Sequence, residues 1–141
     1  MILSSSEIAR RREDGDLVIE PYHSASQQPA SYDLRAAGAT VLPCGACTLV
    51  PSIERVELPA DLAATLRCRS SLARRGVLIG GGFVDPGFCG QLTLCLTNMG
   101  SESITLAEGD RIVQMVVQEV RNGDRLYRGR YQDSLGAVHT R

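Results

Sequence analysis

Lysine and tryptophan are absent from this 141-residue chain. Its permanent positive charge therefore sits on arginine alone, whose planar fork of donors suits phosphate and carboxylate. A charge excess of one sign is also missing. Fifteen basic residues face 16 acidic ones, for a formal net charge of -1, so the footprint of a nucleic-acid binder is lacking. No apolar run approaches the roughly 20 residues of a membrane-spanning helix. The opening MILSSSEIARR has too short an apolar stretch before its charges to read as a signal segment. A cytoplasmic location, with no membrane partner, is the expectation. Five cysteines, an odd number, read as reduced thiols rather than a disulfide framework. The length fits one domain over 1–141, able to hide roughly two-thirds of its unfolded surface.

What is present is mostly strand signal. Ser4-x-x-Glu7 resembles a capping box and predicts a short helix through about Arg12, ended near Gly15. Leu17–Glu20 reads as a strand stopped by Pro21. Short strands are expected at Thr40–Leu42 and Thr48–Val50 around the CGAC turn, and at Ser52–Leu58. Pro59–Leu66 is read as one or two helical turns. Gln91–Thr97 alternates strictly, with Leu92, Leu94 and Leu96 on one face and Gln91, Thr93, Cys95 and Thr97 on the other. Arg111–Val120 is the longest β-branched run and follows a Gly109-Asp110 turn. Short strands between Gly, Pro, Asp and Asn turns predict an all-β barrel or sandwich. Residues 122–141 are polar and, taken alone, read as a tail that frays.

Several segments carry chemistry. Arg69, Ser70, Ser71 and Arg74 offer hydroxyls and guanidinium groups that can surround phosphate oxygens. The commoner meaning of such a string is a solvated turn. Asp85 stands between Val84 and Pro86 in a glycine-rich turn, a usual place for a structural aspartate. Gly81, Gly82, Gly87 and Gly90 would let backbone approach a ligand closely. Asp33 and Arg35 share strand parity and are expected to pair. Pro43–Cys47 contains a P-C-x-x-C string, but upstream His23 stands in H-S-A, so the H-x-E of zinc deaminases is missing.

Five segments in fixed order resemble the dCTP deaminase/dUTPase family: Gln28–Arg35 (QPASYDLR), Arg69–Gly76 (RSSLARRG), Gly81–Leu94 (GGFVDPGFCGQLTL), Glu108–Gln114 (EGDRIVQ) and Tyr131–Arg141 (YQDSLGAVHTR). The resemblance implies an all-β, distorted jelly-roll-like barrel with a short N-terminal helix. It further implies a homotrimer with active sites between subunits and a deoxyuridine or deoxycytidine triphosphate as ligand. Mg²⁺ would be held through the triphosphate, with no direct protein ligand. On this basis Arg69, Ser70, Ser71, Arg74, Gln114 and Arg141 bind phosphate. Gly82, Phe88, Gln91 and Cys95 line the base and sugar pocket. Gln28, Ser31, Asp33 and Arg35 are structural or interface residues, and 122–141 becomes a tail that covers substrate.

The resemblance also locates a departure. Metal-free deaminases of this family carry their catalytic glutamate ten residues after the aspartate of the DPG turn, and here that position is Cys95. A thiol with a pKa of about 8.5 is a poor substitute for a proton-shuttling carboxylate. The leading expectation is therefore hydrolysis of dUTP to dUMP and pyrophosphate, with Asp85 as general base for the attacking water. One alternative is dCTP deamination by a relocated acid, Glu102 or Glu108. Another is a non-catalytic, nucleotide-binding regulatory trimer.

Overall fold

Ser4 accepts a hydrogen bond from the Glu7 amide at 3.3 Å and starts helix α1 (Ser5–Glu13). The expected box closes on one side only, because the Glu7 carboxylate turns to Arg10 instead. Arg11 fixes this helix to the body of the protein. Its guanidinium donates to both oxygens of Asp61, at 2.8 and 3.0 Å, and its Nε reaches Asp16. The computed structural model describes residues 1–141, and after α1 almost every element is a strand. They run β1 (Val18–Glu20), β2 (Gln27–Gln28), β3 (Ser31–Arg35), β4 (Thr40–Leu42), β5 (Cys47–Glu57) and β6 (Leu62–Cys68). The one-turn helix α2 (Ser70–Ala73) comes next, then β7 (Val77–Gly80), β8 (Phe83–Val84), β9 (Cys89–Asn98), β10 (Ile104–Leu106) and β11 (Arg111–Glu119).

The strands form a four-stranded sheet, β1-β5-β9-β7, a five-stranded sheet, β2-β3-β11-β6-β8, and the pair β10-β4. The all-β expectation holds, but these sheets do not close into a continuous barrel. One apolar cluster draws on both large sheets. Val50, Val56, Leu92, Leu94 and Leu96 come from one; Tyr32, Leu34, Leu62, Val113, Met115 and Val117 come from the other. The alternation of β9 is as the sequence predicts: Leu92, Leu94 and Leu96 are buried, while Gln91, Thr93 and Cys95 are half-buried on the opposite face.

Two local expectations are corrected. Leu62–Cys68 is strand, not helix. Seven consecutive pairings with β11 outweigh the helical preference of its alanines. The two strands expected on either side of Pro51 are one strand, β5, with a register irregularity between Pro51 and Arg55. Proline cannot donate to the ladder, so the pairing must break near it. The Ser52 hydroxyl fills the gap by accepting from the Leu92 amide at 3.0 Å.

A third correction concerns charge. Asp33 and Arg35 do not pair. Arg35 donates from Nε to Glu54 at 2.7 Å, and Glu54 is fully buried and also accepts the Arg35 amide at 3.0 Å. Asp33 turns instead to Arg69 and Arg111, at 3.0 and 3.6 Å. The two side chains have the same strand parity, yet each finds a better partner on a different element. Glu54→Gln keeps the shape and loses the charge, and is expected to cost about 2 kcal/mol, the scale of a hydrogen bond to a charged group. Urea midpoints of the two proteins measure it.

Candidate active site

A cavity of about 340 Å³ opens where β7, β8 and β9 meet the C-terminal tail. Cys95 lies in the middle of β9, in register with Leu49 on β5 and Gly80 on β7. Gln91, Thr93 and Cys95 form one wall. Gly80, Gly81 and Gly82 form the opposite rim, and Asp85 and Phe88 come from the DPG turn. Gly82 has a φ of +90° and its amide neighbourhood is tight: a Cβ there would stand 3.2 Å from both the Cβ and the carbonyl oxygen of Leu66. The close approach brings the Gly82 carbonyl onto the Leu66 amide at 2.7 Å and ties the rim to β6. Glycine is required at this position by both conformation and space.

Asp85 is exposed at the cavity and is its only acidic lining residue. No arginine lines the cavity. Phe88 is 7% exposed; its ring packs on Tyr127 with centroids 5.8 Å apart, so it serves the core and the cavity together. Gln91 is engaged by the chain itself. Its amide donates to the Ser52 carbonyl at 3.0 Å and its oxygen accepts the Gly136 amide at 2.6 Å. Burial pushes the Cys95 thiol above its ordinary pKa, with the Cys47 thiol adding to the effect. The Cys95 side chain is thus a neutral thiol at pH 7.

The tail is docked rather than frayed. Ser134 is buried and bridges to Gly90, and the Val138 amide donates to the Thr93 hydroxyl at 2.9 Å. Tyr127, Tyr131, Ser134, Val138 and Thr140 line the cavity. Arg141 does not reach it. Its guanidinium donates to the Arg130 carbonyl at 2.9 Å, within the exposed end of the tail.

The residues expected at phosphate lie elsewhere in the chain. A second, polar cavity of about 410 Å³ is lined by Arg69, Ser71, Arg75, Thr105, Asp110 and Arg111, among others. Asp33, 1% exposed, holds Arg69 and Arg111 against each other's repulsion. Burial raises the pKa of Asp33, and the two arginines oppose that rise. Ser70, the first residue of α2, and Arg74, just after its end, are exposed and line neither cavity. Gln114, half-buried on β11 in register with Asp33 and Arg67, lines neither as well. Gln28 contacts the Ala25 carbonyl, and Ser31 is buried beside it on β3. Arg75 and Arg111 were not singled out by the sequence reading. Both lie inside segments that carry the family resemblance, Arg69–Gly76 and Glu108–Gln114. Glu102 and Glu108 are exposed and line neither cavity.

The five cysteines are free. Cys44 and Cys47 are exposed, whereas burial raises the pKa of Cys68, Cys89 and Cys95. A raised pKa means less thiolate at a given pH. At pH 7 iodoacetamide is expected to label the exposed Cys44 and Cys47 faster than the other three. Labelling of Cys95 should climb as pH rises toward 9. Peptide mass spectrometry reads both.

Residues 36–120 match the dCTP deaminase-like family. The chain belongs to that family. A dCTP deaminase of Thermococcus gammatolerans is 38% identical over 84% of this chain and 86% of its own. A protein of Halobacterium salinarum named "dCTP deaminase, dUMP-forming" is 35% identical over 100% of this chain and 94% of its own. Among solved structures, the EIAV dUTPase superposes with a TM-score of 0.63 at 24% identity, over 81% of this chain and 92% of that one. A dCTP deaminase from Agrobacterium tumefaciens gives a TM-score of 0.69 at 22% identity, over 82% of this chain and 47% of that one. These two likenesses establish a dUTPase-like fold. No helix of this dCTP deaminase-like protein is long and apolar enough to cross a membrane.

Proposed function

We propose that the protein binds a pyrimidine deoxynucleoside triphosphate and hydrolyses it at the α-phosphorus, with dUTP as substrate and dUMP and pyrophosphate as products. The observation that carries this reading is the content of the Asp85 cavity: one exposed carboxylate, and a neutral thiol where a deaminase of this family would hold its glutamate. Asp85 takes a proton from water as the water oxygen bonds to phosphorus. The bond from that phosphorus to the bridging oxygen breaks and its electron pair leaves with pyrophosphate. A triphosphate needs cations that the Asp85 cavity lacks and the Arg69–Arg111 cavity has. In a homotrimer the second cavity of one copy would complete the first cavity of its neighbour. No cluster of three His, Cys, Asp or Glu side chains gathers in the chain. Mg²⁺ would be a partner of the bound triphosphate, where it would supply charge neutralisation.

Deamination of dCTP to dUTP and ammonia is the second reading. The names of the relatives favour it, and one name joins deamination to dUMP formation. Product analysis with Mg²⁺ separates the readings. dUMP and pyrophosphate from dUTP, with no ammonia from dCTP, is the expected result. Ammonia from dCTP replaces hydrolysis with deamination, and binding without turnover of either points to a regulatory trimer.

A further inference from the structure

We propose that Gln132, in the C-terminal tail, is the positioning residue for the turn that carries Asp85. The inference rests on the reading of Asp85 as the base, and it concerns a side chain that lines neither of the two cavities described. The turn is held from two sides. On one side Leu58 takes the Gly87 amide at 2.8 Å and gives its own amide to the Phe88 carbonyl at 3.0 Å. On the other side stands the tail. The Tyr127 amide donates to the Pro86 carbonyl at 2.7 Å, and the Asp133 amide donates to the Cys89 carbonyl at 2.8 Å.

Between those two contacts the tail backbone offers nothing, and the Gln132 side chain fills the interval. Its Nε2 donates to the Gly87 carbonyl at 2.8 Å and its Oε1 accepts the Cys89 amide at 3.0 Å. A glutamine head group carries the same donor and acceptor as a peptide unit. Gln132 thus acts as one residue of a neighbouring strand, spanning Phe88 and completing the hydrogen bonding of Gly87 and Cys89. Phe88 returns its amide to the Asp85 carbonyl at 3.2 Å, which closes the turn on the carboxylate-bearing residue. The backbone at Gly87 has a φ of +81°, and a Cβ there would meet the Leu126 Cβ at 2.7 Å, so tail and turn are packed together with no slack. Freeing Gly87 and Cys89 on one side lets the turn move and displaces Asp85 from the attacking water. A misplacement of about 1 Å can lower a rate about 100-fold.

Two substitutions in the full-length protein test the role. Gln132→Leu removes donor and acceptor. Gln132→Glu keeps the acceptor when ionised and sets a carboxylate against the Gly87 carbonyl. When protonated, below a pKa of about 4.3 for an unperturbed glutamate, it regains a donor. The readouts are kcat and KM for dUTP, and backbone hydrogen exchange. Expected are a kcat lowered about 10- to 100-fold with KM within about threefold, and loss of exchange protection confined to 85–89. The deficit of Gln132→Glu relative to wild type should narrow as pH falls toward 5. Turnover within twofold of wild type in Gln132→Leu overturns the proposal, as does a risen KM with kcat unchanged. Loss of protection spread over the whole chain overturns it too, because that marks a general structural role. If the wild-type protein leaves dUTP intact, the hydrolytic reading falls, and exchange alone then decides: confined loss at 85–89 upholds the clamp, and unaltered exchange there removes it.

Discussion

Asp85→Asn is expected to lower dUTP turnover by about 100- to 10,000-fold, the range that a positioned general base contributes, and to leave nucleotide affinity within about threefold. The asymmetry follows from where the side chain sits. Asp85 is exposed at the cavity and its carboxylate accepts no hydrogen bond from the chain, so an amide of nearly the same shape disturbs no contact. What disappears is the only carboxylate in that cavity. Backbone hydrogen bonds hold the turn on both sides, and they involve main-chain atoms that the substitution leaves in place. A large loss of affinity together with activity would assign Asp85 to binding and remove it from the proton-transfer role. Unchanged turnover would rule out carboxylate-assisted hydrolysis at this cavity.

Cys95→Glu is expected to raise release of ammonia from dCTP above that of the parent protein. Strand parity puts residue 95 on the cavity face of β9, between Gln91 and Thr93 on one side and Thr97 on the other. Gly80 stands opposite in register, and even a Cβ built there would remain 4.0 Å from the Cys95 Cβ. The missing side chain at Gly80 leaves room for the longer glutamate. The same burial that raises the thiol pKa would raise that of a carboxylate, bringing it toward neutral pH, where acid and base roles can alternate. Ammonia detection and separation of dCTP from dUTP read the gain. A folded Cys95→Glu protein that binds dCTP and releases no ammonia would show that residue 95 does not face the exocyclic amine of the base. Both substitutions together, Asp85→Asn and Cys95→Glu, should deaminate without hydrolysing.

The sequence displayed some of this architecture because local rules and tertiary structure agree there. Ser4 caps a helix as hydroxyls do, and the leucines of β9 alternate because one face is core and the other is cavity. The order of the five segments was sufficient to anticipate the family and its fold. Legibility failed where partners distant in sequence decide. Leu62–Cys68 has alanines that suit a helix, and only its pairing with β11 makes it a strand. Asp33 and Arg35 have matching parity, yet Glu54 and Arg69 outcompete each as partner for the other. Arg75 and Arg111 enter the polar cavity beside the arginine and serine that the motif advertised. The tail looked loose because its bonds to Gly87, Cys89, Gln91 and Thr93 cross roughly 45 residues of chain, a distance at which composition carries no signal.

The position of β11 has a consequence for the protein as it leaves the ribosome. This strand is the last to be synthesised, yet it lies at the centre of its sheet, with β3 on one side and β6 on the other. Even the first residues wait for it, since the Leu3 amide bonds to the Val117 carbonyl and the Met1 carbonyl to the Glu119 amide. Until about residue 119 has emerged, β3 and β6 each present an unpaired edge of backbone donors and acceptors, the usual template for mispairing between nascent chains. The five-stranded sheet can therefore close only after all the other strands have been made. Slowing synthesis after β6 would lengthen the exposed interval, and holdase chaperones would find their target in the β3 and β6 edges.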